Sequence, residues 1–325
     1  MLPNKKNFCG GNFQDWLEIM LISRCNGICS WCIEKDGYKP KQIASWQKIA
    51  NTAIRTGKKN VILLGGEPTL YPNIGELIRF LILHRKNVYV TTNGSRLSKE
   101  YIDENLIGIT GVNISIHDYP VELNRNITGI KLNANSLFEN VKICKENNIS
   151  VRFNCNVIKG HVDSKQGIFN YIKYAKEMGA NKIRFAELKN NIDLFVDLKQ
   201  ALPSIHELTE DPFLFGCNHD VIINDMPINL RQMCGLQTPK RIKPTNPEQT
   251  KKQVLYYDGE IYNGWQTTRE KKMTDKELID LLEKVKSGVS SVAEAAIKIT
   301  REKENGGPGA REKIITATEG GGCCY

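Results

Sequence analysis

The chain has 325 residues, a formal net charge of +9, ten cysteines and an ordinary hydrophobic content of 40%. Such a length holds one large domain with an appendage and buries a sizeable core, and no apolar run approaches the length of a membrane-spanning helix. Ten cysteines in so long a chain do not read as the disulfide framework of a small secreted domain. The positive charge favours anionic partners such as nucleotides, RNA or acidic peptides. The lysines are scattered, however, and form no basic stripe with interleaved aromatics, so a dedicated nucleic-acid face is not expected. The N-terminus, Met1-Leu2-Pro3-Asn4-Lys5-Lys6, lacks the apolar stretch of a signal peptide, and a reducing cytoplasm is the expected setting.

The first predicted element is a strand over 16–22. Directly after it, Cys25, Cys29 and Cys32 form a C-x3-C-x2-C cluster in Cys25-Asn26-Gly27-Ile28-Cys29-Ser30-Trp31-Cys32. Three thiolates so close together suit three corners of one [4Fe–4S] cube and leave the fourth iron for a ligand that is not protein. A structural zinc site wants four ligands, and no fourth Cys or His lies in the local run. The alternative is three unrelated buried cysteines, which a polar loop disfavours.

Strand and helix then alternate. Buried-type or alternating runs predict strands over 61–64, 88–92, 112–116, 151–158 and 182–188. Apolar residues at helical spacing predict helices over 43–55, 73–84, 98–104, 136–146 and 167–178; Ile74, Leu77, Ile78 and Leu81 form one such stripe. The fold class is therefore α/β, a partial (β/α)6 TIM-like barrel over 1–190, with reactive residues at the C-terminal ends of its strands. Next comes a small α+β extension over 191–302. Its strand pair lies near 221–232, and a hairpin surrounds Asp258-Gly259. A helix follows, for which Thr274 and Glu277 are spaced as a capping box. A flexible Gly/Cys tail over 303–325 completes the chain.

The turn Gly65-Gly66-Glu67-Pro68 follows the run Val61-Ile62-Leu63-Leu64, one strand and one helix after the cysteines. Together the two motifs resemble the signature of the radical S-adenosylmethionine (SAM) superfamily. That resemblance implies a [4Fe–4S] cluster on Cys25, Cys29 and Cys32, with SAM chelating the open iron and Gly65–Pro68 contacting its amino group. It implies reductive cleavage of SAM to a 5′-deoxyadenosyl radical, which abstracts hydrogen from substrate. It implies an electron donor of flavodoxin or ferredoxin type. The stretch 16–188 most resembles the branch holding the GTP cyclase of molybdopterin biosynthesis and the peptide-maturing enzymes. Asn113-Ile114-Ser115-Ile116-His117-Asp118, Val151-Arg152-Phe153-Asn154 and Ile183-Arg184-Phe185-Ala186-Glu187 carry that likeness. By the same resemblance Trp31 shields cluster and adenine. Thr92 and Asn93 lie by the methionyl or ribose part, and Ser115 and Arg152 point toward carboxylate and ribose. Arg152 and Asn154 are the residues expected to act on the reacting groups. Asn154 and Glu187 read equally well as structural hydrogen bonders at strand ends. His117 reads first as a satisfied loop histidine and second as a substrate contact. Asn154 is expected inward, with Cys155 left as a small hydrophobe on the opposite face.

The chain departs from these relatives in its C-terminal cysteines. Cys217 and Cys234 stand where the cyclase holds a second cluster, but no C-x2-C pair exists. Cys323 and Cys324 are candidates to join them around a cluster or zinc; otherwise they are exposed thiols of the tail. The leading expectation is radical SAM chemistry on a peptide or peptide-like substrate. The alternative is the same chemistry on a nucleotide or nucleoside. A third reading is a non-catalytic SAM or cluster sensor.

Overall fold

Local sequence sets the start of four of the six core helices. The computed structural model describes residues 15–36, 39–40, 42–188, 191, 193–202, 218–232 and 253–263. The core strands are β1 Trp16–Met20, β2 Asn60–Leu64, β3 Asn87–Thr92, β4 Gly111–Ser115, β5 Ser150–Asn156 and β6 Lys182–Ala186. Between them run α1 Trp46–Arg55, α2 Ile74–Leu83, α3 Lys99–Asn105, α4 Asn124–Thr128, α5 Ala134–Glu146 and α6 Lys165–Glu177. Four of these helices start at a short polar side chain that accepts a first-turn N–H: Ser45 from Lys48, Ser98 from Tyr101, Asn133 from Ser136 and Ser164 from Gly167. Each such cap is worth about 1 kcal/mol.

The period of two then sorts the strand residues. Val61, Leu63, Val88, Val90, Val151, Phe153, Ile183 and Phe185 are fully buried in one core with Ile49, Leu77, Leu81 and Ile168 of the helices. Cys155 belongs to the same buried set. The alternate residues form the other face of the sheet, where Tyr89, Thr91, Ser115, Arg152, Asn154 and Arg184 are only partly covered. This polar inner face is the one the helices leave open.

After β6 come α7 Leu198–Ala201, β7 Asn218–Ile223, β8 Met226–Arg231, β9 Gln253–Leu255 and β10 Ile261–Asn263. The ten described strands form one sheet in the order β10-β9-β1-β2-β3-β4-β5-β6-β8-β7. The six core strands pair in parallel. The two late hairpins are antiparallel internally, yet β9 lies parallel to β1 and β8 parallel to β6. The described part of the expected extension therefore adds strands to both edges of the core sheet. β7 and β10 end the sheet without pairing to each other, so the barrel is open.

Both expected strand pairs of the extension are present, and the Asp258-Gly259 turn has Gly259 at φ 82°. The helix expected after Thr274 and the tail lie outside the described residues. Among the described residues, no helix is long and apolar enough to cross a membrane.

Candidate functional site

The cysteine loop leaves the C-terminal end of β1 and is stitched to its neighbours by backbone bonds. Gly66 N–H donates to Ile22 O at 2.6 Å, Glu67 N–H to Arg24 O at 2.9 Å, and Ile28 N–H to Thr128 O at 2.8 Å. Two glycines make the first of these approaches possible. A Cβ on Gly65 would lie 2.5 Å from Ile22 O, and one on Gly66 would meet Arg24 O and, at 2.5 Å, Ser23 O. These distances are below any real Cβ contact, so this turn admits only glycine.

Glu67 is buried, and its carboxylate gathers four donors. Oε1 accepts from Thr69 N at 3.1 Å, Thr69 Oγ1 at 2.6 Å and Thr92 Oγ1 at 2.6 Å; Oε2 accepts from Asn93 N at 2.7 Å. Pro68 opens the one-turn helix Pro68–Leu70 that follows. The Asn93 amide donates to Asn26 Oδ1 at 2.8 Å and lies 4.0 Å from Cys25 Sγ. Asn26 in turn donates to Ser95 Oγ at 2.9 Å. The structure thus joins Cys25, Gly65–Pro68, Thr92 and Asn93 in one network and uses the Thr92 and Asn93 side chains to hold the loop. Asn26 and Ser95 belong to this network and carry no motif in the sequence.

Trp31 is buried against Ile158 and Leu188, with Cys29 beside them. Its ring meets His117 edge-on at 5.5 Å between centroids. His117 Nδ1 accepts from Asn156 N–H at 3.0 Å, which places the ring proton on Nε2. Burial pushes its pKa down to about 4, so the imidazole is neutral at neutral pH. His117 is a satisfied loop histidine here, packed under Trp31. Glu187 is buried, and its Oε1 accepts from Leu198 N–H at 3.0 Å.

Three cysteines on one loop meet the requirement of a cluster bound at three corners. Burial pushes the Cys29 thiol up to about 11, with Cys32 and Cys25 adding to the effect. Burial likewise raises Cys25, with Glu67 and Cys32 contributing. Thiols that disfavour one another's negative charge suit a cationic iron–sulfur centre, which would offset it. Among the described residues no three His, Cys, Asp or Glu converge on a single ion position. Thiolates that each take a different iron of one cluster need not converge on a single point. Glu34, in the one-turn helix Ile33–Asp36, was not singled out from sequence. Its carboxylate is buried, neither oxygen is hydrogen-bonded among the described residues, and burial raises its pKa to about 7.

Deeper in the barrel, the inner face carries a polar row across five strands. Ser115, Asn154, Arg184, Asn229 and Asp220 are register partners on β4, β5, β6, β8 and β7. Arg152 stands one step toward the N-terminal ends and donates Nε–H to Asn154 Oδ1 at 3.0 Å. Arg184 donates Nε–H to Asn229 Oδ1 at 2.7 Å, and Asn229 Nδ2 donates to Asp220 Oδ1 at 2.9 Å. Burial lowers the Arg152 guanidinium well below its ordinary value, and Arg184 and Arg231 add to the shift. Burial lowers Arg184 as well, with Glu18 and Asp220 working against the shift. Three guanidiniums thus share one part-buried face. Sequence reasoning picked Arg152 and passed over Arg184 and Arg231, although alternation with Ile183 and Phe185 already puts Arg184 on the inner face. Cys217, Cys234, Cys323 and Cys324 lie outside the described residues.

Residues 19–172 match the model of the radical SAM superfamily. The matched segment, just under half of the chain, resembles a radical SAM domain. That family uses a [4Fe–4S] cluster and SAM, and the cysteine loop of this domain fits the first of them. Among curated proteins, the chain is similar to a probable GTP 3′,8-cyclase of Thermococcus kodakarensis, 28% identical over 170 residues, which cover 50% of this chain and 53% of that one. A GTP 3′,8-cyclase of Aquifex aeolicus is 26% identical over 255 residues, covering 75% of this chain and 71% of that one. Against the Thermococcus protein, the chain spans about half the relative's length. Among solved structures, Streptococcus suis SuiB bound to precursor peptide SuiA shares the fold at TM-score 0.57 and 17% identity, covering 82% of this chain and 65% of SuiB.

Proposed function

We propose that this protein is a radical SAM enzyme whose substrate is a phosphorylated nucleotide, held by its anionic groups against Arg152, Arg184 and Arg231. The observation that carries this reading is the set of three guanidiniums on one inner face: burial lowers Arg152 and Arg184, and the charges of Arg184 and Arg231 add to the shift at Arg152. Clustered buried cations are costly unless an anion joins them. A guanidinium fork matches phosphate oxygens two at a time. The similarity to GTP 3′,8-cyclases supports the same class.

Cys25, Cys29 and Cys32 would hold the cluster, and the Gly65–Pro68 turn, Asn93, Ser115 and Trp31 would border SAM. When bound, the cluster and SAM supply the 5′-deoxyadenosyl radical that takes a hydrogen atom from substrate. The protein's own part is positional. The glycine turn and the Glu67 network fix the loop. Trp31, Ile158 and Leu188 exclude water beside Cys29, and the arginine face orients the substrate. Arg152 and Asn154 act as one unit through their mutual bond. A flavodoxin- or ferredoxin-type protein is the proposed electron donor, and the cytoplasm the proposed compartment.

The peptide-first expectation gives way here. The likeness to SuiB is a likeness of fold, and nothing on the inner face singles out a peptide over an anion. The test is anaerobic incubation of reconstituted protein with SAM, a strong reductant and GTP, read as 5′-deoxyadenosine formed and GTP consumed. Stimulation of 5′-deoxyadenosine by GTP, lost in Arg184→Ala, is expected. Turnover with no response to any nucleoside triphosphate would return the peptide reading to the front. No 5′-deoxyadenosine under any condition would favour the sensor.

A further inference from the structure

The hairpin β7–β8 lies outside the segment that matches the family model, yet it touches the arginine face. We propose that Asn229, backed by Asp220, is a positioning residue that aims the Arg184 guanidinium at the substrate's anionic group. The inference rests on the reading of that face as an anion site.

The chemistry of the three groups fixes the arrangement. A guanidinium only donates and a carboxylate only accepts. An amide placed between them has one stable orientation, with Oδ1 toward Arg184 and Nδ2 toward Asp220, as the bonds of 2.7 Å and 2.9 Å show. The chain Asp220–Asn229–Arg184 therefore runs in one sense, from acceptor to donor. It engages Arg184 at Nε, on one side of the fork. Among the described residues, that leaves the two terminal nitrogens of the guanidinium for a bidentate acceptor.

Arg152 is held the same way, at Nε by the carbonyl oxygen of Asn154. Two guanidiniums, each gripped at Nε by an amide oxygen, present their forks from one face. An Arg side chain loses considerable rotamer freedom when it binds. Holding it beforehand removes part of that cost. Asp220 contributes twice: it orients the amide, and its charge, after that of Glu18, works against the burial that lowers Arg184. The residue that tunes the anion site thus comes from the late hairpin.

The test uses the full-length, anaerobically reconstituted protein and inorganic tripolyphosphate as the probe, with binding followed by calorimetry. Wild type, Asn229→Ala, Asn229→Asp, Asp220→Asn, Arg184→Ala and the Arg184→Ala/Asn229→Ala pair are compared. Asn229→Ala is expected to weaken binding about tenfold and Asp220→Asn by a few-fold. Asn229→Asp keeps an acceptor for Nε–H but sets a second carboxylate against Asp220 and beside the anion site, so it is expected to bind no better than Asn229→Ala. In the Arg184→Ala background, Asn229→Ala is expected to have no further effect, because its influence passes through Arg184. Equal binding by wild type and Asn229→Ala would overturn the inference while leaving the anion site standing. So would an undiminished loss in the double variant, which marks a merely structural role. Absence of binding by wild type would overturn the anion site itself.

Discussion

Gly66 shows how one missing side chain organises the site. Its N–H bond to Ile22 O and the close carbonyls of Ser23 and Arg24 leave no room for a methyl group. Gly66→Ala is expected to cost about 2 kcal/mol by overpacking and to lower iron retention, because the strain falls on the loop that carries Cys25. Denaturant unfolding and iron content of the reconstituted variant check both. Unchanged iron with normal stability would remove the turn from the support of the cluster.

His117 gives a pH signature. Its folded pKa of about 4 lies below the unfolded value of about 6.5. The unfolded chain therefore binds a proton in that window and the folded chain does not. Stability from this group is complete above about pH 6.5 and is lost as pH falls toward 4, by up to about 3 kcal/mol. Glu34 opposes it: with a folded pKa raised from 4.5 to about 7, its contribution to stability is fully present below about pH 4.5 and is lost as pH rises through about 7. The difference between wild type and His117→Asn isolates the histidine, since the Asn carbonyl can still accept from Asn156 N–H. Wild type is expected to lose stability relative to the variant between pH 7 and about pH 5. Parallel curves would count against the buried neutral ring.

At the scale of elements, the hairpin β9–β10 is held by rings rather than by charge. Tyr256 and Val254 are fully buried with Met20 of β1, and the Tyr256 ring meets Tyr262 at 5.2 Å and Tyr257 at 6.4 Å between centroids. Lys48 and Glu260 form a 2.8 Å ion pair that is open to solvent on both sides. Tyr256→Ala is expected to cost about 3–5 kcal/mol, whereas Lys48→Ala should leave stability nearly unchanged. Urea unfolding of the two variants separates them; a larger loss in Lys48→Ala would reverse the ranking. The core strands and helices are readable in the sequence because their apolar periods and Ser or Asn caps are local. The cysteine loop and glycine turn are readable because their chemistry tolerates few residue types. The pairing of β9 with β1 is not readable, since parallel partners far apart in the chain leave no local mark. Asn229 is hidden for the same reason: its role exists only once β8 lies beside β6. The late hairpins read as an appendage because a strand pair announces its turn but not its outer neighbour.

For the whole molecule, the ten-stranded sheet divides its labour between two faces. One face packs the helices and supplies stability. The other keeps a polar, cationic interior that a stability argument alone would replace with apolar residues. In the function proposed above, the substrate's anionic groups complete that interior. The order of the strands adds a matter of timing. β1 carries the cysteine loop at its end, and its outer neighbour β9 is synthesised long after it. A nascent chain that has not yet reached residue 253 leaves one side of β1 as a bare edge, with its backbone donors and acceptors unmatched. The segment proposed to hold the cluster is thus born at a border of the described sheet and becomes interior only when the β9–β10 hairpin arrives.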